Sequence, residues 1–152
     1  MTRWVMAGLA ASAALMIGAT TAGAAPSSSD LMVVRLDPDP VAPGGTTTVH
    51  GFVANLGPQR TASPFTVLVD LPAGFTAEGP YFPAGCRALS DQVVQCTFGA
   101  GLPPLETATA LVPVRADADV PPGTVAEGHV RVVSMDDHNP ANNSTPFTLT
   151  VG

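Results

Sequence analysis

The residues best suited to bind a metal ion lie in one stretch, residues 136–144, just before the last strand-like segment. Its acids and amides cluster oxygen atoms, the ligands that Ca²⁺ prefers. The candidates are Asp136, Asp137 and Asn139, then Asn142 and Asn143, and also Asp37 and Asp39 if their loops converge. Asn and Asp also bond to their own backbone in turns, so the same stretch predicts an ordinary polar connection. We favour the turn and keep a calcium site as the alternative.

The remaining reactive side chains do not predict a catalytic site. The histidines His50, His129 and His138 lack a ligand spacing such as His-Glu-x-x-His. The sequence contains neither a Gly-x-Ser-x-Gly elbow nor a glycine-rich phosphate loop. Asp117 and Asp119 form an acid pair, but acids in turns are ordinarily solvated. We therefore expect a protein that is not an enzyme and that needs no cofactor.

The first 24 residues have the pattern of a secretory signal peptide. Arg3 precedes an uncharged apolar stretch, and Ala22-Gly23-Ala24 fits the small-x-small rule for cleavage. A membrane anchor is the alternative, since a spanning helix needs about 20 apolar residues. The weakly apolar second half, residues 18–23, and the lack of a basic flank favour cleavage. We expect an exported product with no membrane insertion, a flexible leader at residues 25–30 and a single domain at residues 31–152.

The two cysteines of the chain, Cys86 and Cys96, predict a disulfide in an exported protein. Their spacing fits a hairpin with a three-residue loop, residues 90–92, in which Leu89 lies opposite Val93 and Cys86 opposite Cys96. A catalytic thiol is the weaker alternative, because such sites usually have a Cys-x-x-Cys motif or a basic partner.

Apolar residues alternate with polar ones in segments separated by turns rich in proline and glycine. The predicted strands are residues 31–36, 46–55, 65–71, 86–89, 93–98, 108–116, 125–134 and 147–151. Glu127, His129 and Arg131 alternate with apolar residues and should face solvent, which is typical of antiparallel sheets. Pro113 predicts a sheet edge or a bulge. The pattern indicates an all-β, immunoglobulin-like antiparallel sandwich of about seven or eight strands.

The charge of the chain disfavours two classes of partner. Without Arg3, 5 basic and 12 acidic residues give a formal charge of −7. Such a surface repels phosphate, so we expect neither nucleic-acid binding nor docking to anionic lipid. Aromatic residues make up 5% of the chain, and the single tryptophan, Trp4, lies in the signal segment. A polysaccharide-binding module is therefore also disfavoured.

Five segments together resemble the domain of unknown function 11, a conserved-repeat module of bacterial surface and secreted proteins. They are residues 38–45, 55–58 and 70–75, Cys86 with residues 96–99, and residues 136–144. The resemblance extends over residues 30–151, and the cell-adhesion-related domain found in bacteria is also similar. It implies an immunoglobulin-like fold and a role in cell-surface architecture or adhesion.

We expect a secreted or cell-surface module that binds an unidentified cell-envelope or extracellular protein through strand edges or loops. One candidate surface contains Glu127, His129 and Arg131. The other is the Tyr81-Phe82 segment, which is either a contact patch or, as we favour, a buried plug. The alternative function is a small secreted inhibitor of an extracellular enzyme, for which Arg87 beside the first cysteine is the one indication.

Overall fold

The structure is a computed structural model that describes residues 26–152, so the predicted signal peptide lies outside the described residues. The strands are β1 Leu31–Val34, β2 Thr46–Asn55, β3 Phe65–Asp70, β4 Phe75–Ala77, β5 Cys86–Ser90, β6 Val93–Phe98, β7 Thr107–Ala116, β8 Val125–Ser134 and β9 Ser144–Thr150. A 3-10 turn at Pro140–Asn142 precedes β9. No helix among residues 26–152 has the length and apolar character needed to cross a membrane.

The strands form two antiparallel sheets packed face to face. One has the order β1-β2-β7-β4 and the other the order β5-β6-β3-β8-β9. After β1 the chain moves from the first sheet to the second, where Val41 forms a parallel bridge with Val151 at the end of β9. The predicted fold class, an immunoglobulin-like antiparallel β-sandwich, is confirmed.

The core lies between the sheets and consists mainly of the inward residues of each alternating strand. From β3 these are Phe65, Val67 and Val69, and the other inward sets include Ala110, Val112, Val114, Val130, Val132, Phe147, Leu149 and Val151, all buried. Each large apolar side chain buried in this way contributes about 1.5–3 kcal/mol. Glu127, His129 and Arg131 are exposed as predicted, because they alternate with the inward residues of β8.

The largest differences from the predicted strands are at β4 and β9. β4 was not predicted, because three residues are too few to show a period of two. It is held by backbone pairing with β7, in which Phe75 lies opposite Ala116. β9 begins at Ser144 and not at residue 147, since β8 pairs with the polar residues before Phe147 as well.

Pro113 lies on β7, an inner strand between β2 and β4, so the predicted sheet edge is wrong, and no bulge occurs there either. Its pairing with Thr48 of β2 continues without a shift in register. The Glu78 N–H donates to the Pro113 carbonyl directly after β4 ends. Because the N–H and C=O of a strand residue point to the same side, the proline nitrogen faces the side on which β4 has ended.

The hairpin between β5 and β6 differs from the prediction at its tip. Cys86 lies opposite Cys96, as expected, but Ser90 and not Leu89 lies opposite Val93. The three-residue loop was therefore wrong. β5 has a register shift between Ala88 and Ser90, which leaves Leu89 unpaired as an extra residue.

Residues 27–30, expected to form a flexible leader, are instead bonded to the sandwich. Ser29 is fully buried and forms a parallel bridge with Asp137. The Ser28 N–H donates to Gln59 Oε1 at 2.8 Å, and the Asp30 carbonyl accepts the Leu56 N–H at 2.7 Å. These partners are distant in sequence, so the local composition of the leader could not reveal them.

Candidate functional site

The first candidate metal ligand, Asp136, uses its carboxylate to hold three backbone N–H groups. It is 3% exposed. Its Oδ2 accepts hydrogen bonds from Ala62 and Ser63, both at 2.8 Å, and its Oδ1 accepts one from Ser27 at 3.2 Å. Burial raises the pKa of Asp136, but the hydrogen bonds from Ser63, Ser27 and Ala62 outweigh burial and lower the pKa overall. This carboxylate acts as a structural acceptor that joins three segments.

Asp137 and Asn142 also have structural partners, whereas the buried Oδ1 atoms of Asn142 and Asn143 have none among residues 26–152. Asp137 Oδ2 accepts the Leu31 N–H at 3.2 Å, and its Oδ1 accepts the Asn139 N–H at 2.7 Å. Asn142 Nδ2 donates to Asp30 Oδ1 at 2.9 Å. Within residues 26–152 no group of three His, Cys, Asp or Glu side chains is placed to hold a metal ion. The geometry of residues 136–144 supports the turn interpretation.

The structure does not bring the two earlier acids to this stretch. Asp37 accepts the Thr148 N–H of β9 at 2.8 Å and forms an ion pair with Arg35. The Thr148 N–H and the Arg35 guanidinium lower the pKa of Asp37. The backbone carbonyl of Asp39 accepts the Thr47 hydroxyl at 3.0 Å, which ties this turn to β2.

The cysteine pair is bonded across the first two strands of the five-stranded sheet. Cys86 and Cys96 form a disulfide with an S–S distance of 2.05 Å, and the Cys96 side of it is fully buried. Arg87 Nε and Nη2 donate to Gln95 Oε1 at 3.1 and 3.0 Å. Arg87 therefore lies on a strand, bonded across to its neighbour, and not on a protruding loop.

The exposed edges of the five-stranded sheet are blocked against strand addition. On β9, the Thr148 N–H is bonded to Asp37, residue Pro146 has no N–H, and the Thr150 carbonyl accepts the Val41 N–H. On β5, the Cys86 N–H donates to the Pro83 carbonyl, and the register shift follows two residues later. Bonded donors, proline and irregular register are all features that prevent edge pairing.

The edges of the four-stranded sheet are short and partly bonded. β4 has three residues, and its Ala77 N–H donates to the Asp91 carbonyl in the turn between β5 and β6. β1 has four residues, and its Leu31 N–H donates to Asp137. The edge-pairing mechanism expected from the sequence thus has little free backbone to use.

The outward surface of β5, β6, β3 and β8 is a continuous sheet face, which we call the five-stranded face. Its central row runs across the strands in the order Arg87, Gln95, Leu68, Arg131. Arg131 Nε lies 3.4 Å from Asp70 Oδ2, and the ion pair is about half exposed. Apolar residues lie beside these charges, and Leu89 and Val133 are 51% and 55% exposed.

Sequence reasoning found only one strand of this face, through Glu127, His129 and Arg131. His129 Nε2 lies 3.3 Å from Glu127 Oε1 on the exposed side of β8. The contributions of β3 and β6 were missed, although the alternation in β3 already assigned Leu68 to the outward side. Its neighbours could be identified only from the strand order.

The Tyr81-Phe82 segment divides into a buried and an exposed residue. Tyr81 packs against the core, as the plug interpretation requires. Burial raises the pKa of Tyr81, and Asp91 and Glu78 raise it further. Phe82 is 58% exposed, so the plug prediction is wrong for this residue.

No protein-family model matches the chain, and no curated protein matches it. Among solved structures, the chain is similar to a chain in the crystal structure of a complex between CaCohA2 and a variant of CaDoc0917. The TM-score is 0.52 and the sequence identity is 13%, and the match covers 82% of this chain and 99% of that chain. This similarity supports the fold.

Two further solved structures have TM-scores below 0.5. AvmM, which catalyses macrocyclization in alchivemycin A biosynthesis, has a TM-score of 0.41 and 18% identity, over 82% of this chain and 88% of that chain. The PapD-like domain 7 of human CEP192 has a TM-score of 0.35 and 12% identity, over 93% of this chain and 94% of that chain.

Proposed function

We propose that this protein is a non-enzymatic protein-interaction module of the bacterial cell surface or extracellular space, and that it binds its partner through the five-stranded face. The observation that carries the proposal is the composition of this face, in which exposed apolar side chains lie among arginines on a flat sheet. Arginine is enriched among the residues that dominate the energy of protein interfaces, and the buried centre of an interface is more apolar than its rim.

The blocked sheet edges favour a face over an edge as the contact. Strand addition needs a row of free N–H and C=O groups. The donors of Thr148 and Cys86 are already bonded, and β4 and β1 are short. Side chains on a rigid sheet, by contrast, need no rearrangement before binding, which lowers the entropic cost of association.

The charges of the face indicate the chemistry of the partner. The side chain bonded to Arg87 is the neutral amide of Gln95, so the positive charge of Arg87 can still pair with a carboxylate. Leu68 and Val133 are on neighbouring strands, where they would contact apolar groups of the partner. A partner surface with an acid beside aliphatic side chains fits this arrangement.

The similar chain of the CaDoc0917–CaCohA2 complex belongs to an assembly of two proteins, and this is in keeping with an interaction function for the fold. The resemblance to bacterial conserved-repeat domains and the predicted signal peptide support export. The disulfide is in keeping with an oxidising compartment.

A small secreted inhibitor of an extracellular enzyme is the alternative function. Such an inhibitor usually presents a rigid exposed loop, whereas Arg87 lies within β5. Incubation with a panel of extracellular proteases distinguishes the two, because an interaction module leaves every protease active.

The experiment uses residues 25–152, which contain both sheets and the whole core, as bait on the envelope fraction of the producing organism. A captured protein is purified, and its affinity is measured for the native module and for two variants. Val133→Glu places a charge within the face and should weaken binding at least about tenfold.

Val125→Glu is the matched control, because Val125 is also exposed on β8 but lies at the opposite end of the strand. It should leave affinity unchanged. Equal affinity of the Val133→Glu variant and the native module would show that the partner binds elsewhere. Recovery of no specific protein would refute the interaction function itself.

A further inference from the structure

The outward side of the four-stranded sheet carries no charged residue over its central part. We call this surface the four-stranded face and define it by the half-buried residues Met32, Val34, His50, Phe52, Leu111 and Pro113. Threonines and Ala54 fill the positions between them. An antiparallel sheet that faces water on one side normally has a polar outer face. This face is largely apolar, in a chain with 12 acidic residues.

Phe82 adds an exposed aromatic ring to one side of this face. It pairs with Leu111 through two backbone hydrogen bonds, with N–H to carbonyl distances of 3.1 and 2.7 Å. Opposed residues in an antiparallel pair place their side chains on the same side of the sheet, so the Phe82 ring lies on the outward side with Leu111. The Phe82 ring is 58% exposed, and its backbone is held by two hydrogen bonds. The ring is therefore preorganised to contact a partner.

We infer that the four-stranded face binds a second copy of this chain, forming a weak two-fold dimer. Two copies with a formal charge of −7 each repel one another wherever their acids approach. The uncharged face allows close contact without placing acids against each other. A two-fold dimer needs one patch that is complementary to itself, and an apolar sheet face meets that requirement.

The ionised groups lie at the border of the face, where they stay in water. Arg115 is bonded to Glu78 at the end of the face beyond Pro113. Glu106 precedes β7 at the other end and is exposed. An apolar centre with a charged border is the usual anatomy of an interface.

The area of the face fits a weak dimer. With its charged border included, the outward side of the whole sheet consists of four strands about 4.8 Å apart with an average length of about seven residues, and at about 3.3 Å per residue it covers about 450 Å². A pair of copies therefore buries about 900 Å², just below the area of about 1,000 Å² expected of a stable interface, so the dimer should be weak. We expect dissociation in the range of about 10–100 μM, with Phe82 as the main anchor.

The test is sedimentation equilibrium of residues 25–152 at concentrations from about 5 to 500 μM, a range chosen to bracket that affinity. The native chain should change from monomer to dimer across this range. Phe82→Glu and Thr109→Glu each place a charge on the face at a position that is not fully buried, and each should weaken the dimer at least about tenfold. Thermal melting shows whether the variants are folded.

Leu89→Glu is the matched control, since it puts the same charge on an exposed leucine of the other sheet. It should dimerise as the native chain does. A native chain that stays monomeric at the highest concentration would overturn the inference, as would unchanged dimerisation of both folded variants. If the chain is monomeric but Phe82→Glu prevents capture of an envelope protein, the face binds that protein instead and the inference is wrong.

Discussion

The two sheets of the sandwich are alike on their inner sides and differ on their outer sides. Both inner faces are built from alternating valines and a few larger side chains, all buried. Outside, the five-stranded sheet presents Arg87, Arg131 and Asp70, whereas the centre of the four-stranded sheet presents Phe52, Leu111 and threonines. The inner pattern specifies the fold, and the outer difference is the part that can distinguish one binding function from another.

The largest expected effect concerns the two glycines that face the core, one on each sheet. A Cβ at Gly128 would lie 2.3 Å from Phe147 Cζ and 2.6 Å from the Asp70 carbonyl oxygen, whereas a Cβ at Gly51 would lie 3.0 Å from Val67 Cγ1. Gly128→Ala should therefore destabilise the protein by at least about 3 kcal/mol, and Gly51→Ala by about 1 kcal/mol or less. Urea unfolding measures both.

The two substitutions control for each other, because each adds one methyl group to a buried strand position. Equal destabilisation would show that the Phe147 ring and the Asp70 backbone can move aside, and that β8 and β9 are less tightly packed than β2 and β7.

The disulfide joins two strands of the five-stranded sheet and has no counterpart in the four-stranded sheet. In the chain-entropy model, closing the short loop between Cys86 and Cys96 contributes about 2–3 kcal/mol, so reduction should lower the free energy of unfolding by that amount. Urea unfolding with and without reductant measures the difference. A Cys86→Ala/Cys96→Ala variant is the control, since its stability should not respond to reductant. If the stability of this variant fell by a similar amount, the effect would come from the reductant itself and not from the disulfide.

Asp136 shows what a buried charge does, in contrast to the exposed charges of the five-stranded face. In the Asp136→Asn variant the amide NH₂ is a donor and can face backbone N–H groups that donate to the carboxylate in the native protein. We therefore expect the free energy of unfolding to fall by about 2 kcal/mol at neutral pH. The pKa of Asp136 is lowered by folding. Its contribution is therefore present above the unfolded pKa of about 3.9 and is lost as the pH falls through the folded value.

The measurement is urea unfolding between neutral pH and about pH 2, a range that spans the titration of aspartate. Stability of the native chain should fall more steeply below about pH 4 than that of Asp136→Asn. Asp119→Asn, at an exposed turn position, should follow the native curve. Parallel curves for the native chain and Asp136→Asn would contradict a structural role for this carboxylate.

Most residues on the inner sides of the sheets could be predicted from the sequence, but the composition of the outer sides largely could not. Eight of the nine strands in residues 26–152 were predicted, because burial imposes a period of two on most of them and the cysteine spacing indicated the hairpin of β5 and β6. β4 was missed because its three residues are too few to show a pattern. The partners of Asp136, at Ser27, Ala62 and Ser63, come from distant segments, so a turn-like stretch gave no sign of them.

The outer faces depend on strand order, which the alternation does not contain. The charged outward set of β8 stood out beside valines, but the outward residues of β2 and β7 contrast less with their inward neighbours. Phe82 lies outside any strand, and only its bridge to Leu111 places it on the four-stranded face. A local pattern could therefore show that Phe82 is aromatic but not which surface it belongs to.

The smallest expected effect on stability comes from removing the exposed ion pairs. Variants of these pairs can therefore show which of the two faces binds the partner. Arg131→Gln removes a half-exposed pair with Asp70 and should change the free energy of unfolding by less than about 0.5 kcal/mol. Arg115→Gln removes the corresponding exposed pair with Glu78 on the other sheet. If the five-stranded face binds the partner, Arg131→Gln weakens binding at least about tenfold, since a desolvated arginine contributes far more at an interface than on a free surface. Arg115→Gln should leave the same affinity unchanged. Both variants should keep their stability. A loss of binding in Arg115→Gln alone would therefore show that the partner binds the four-stranded sheet, and the assignment of the two faces would be reversed.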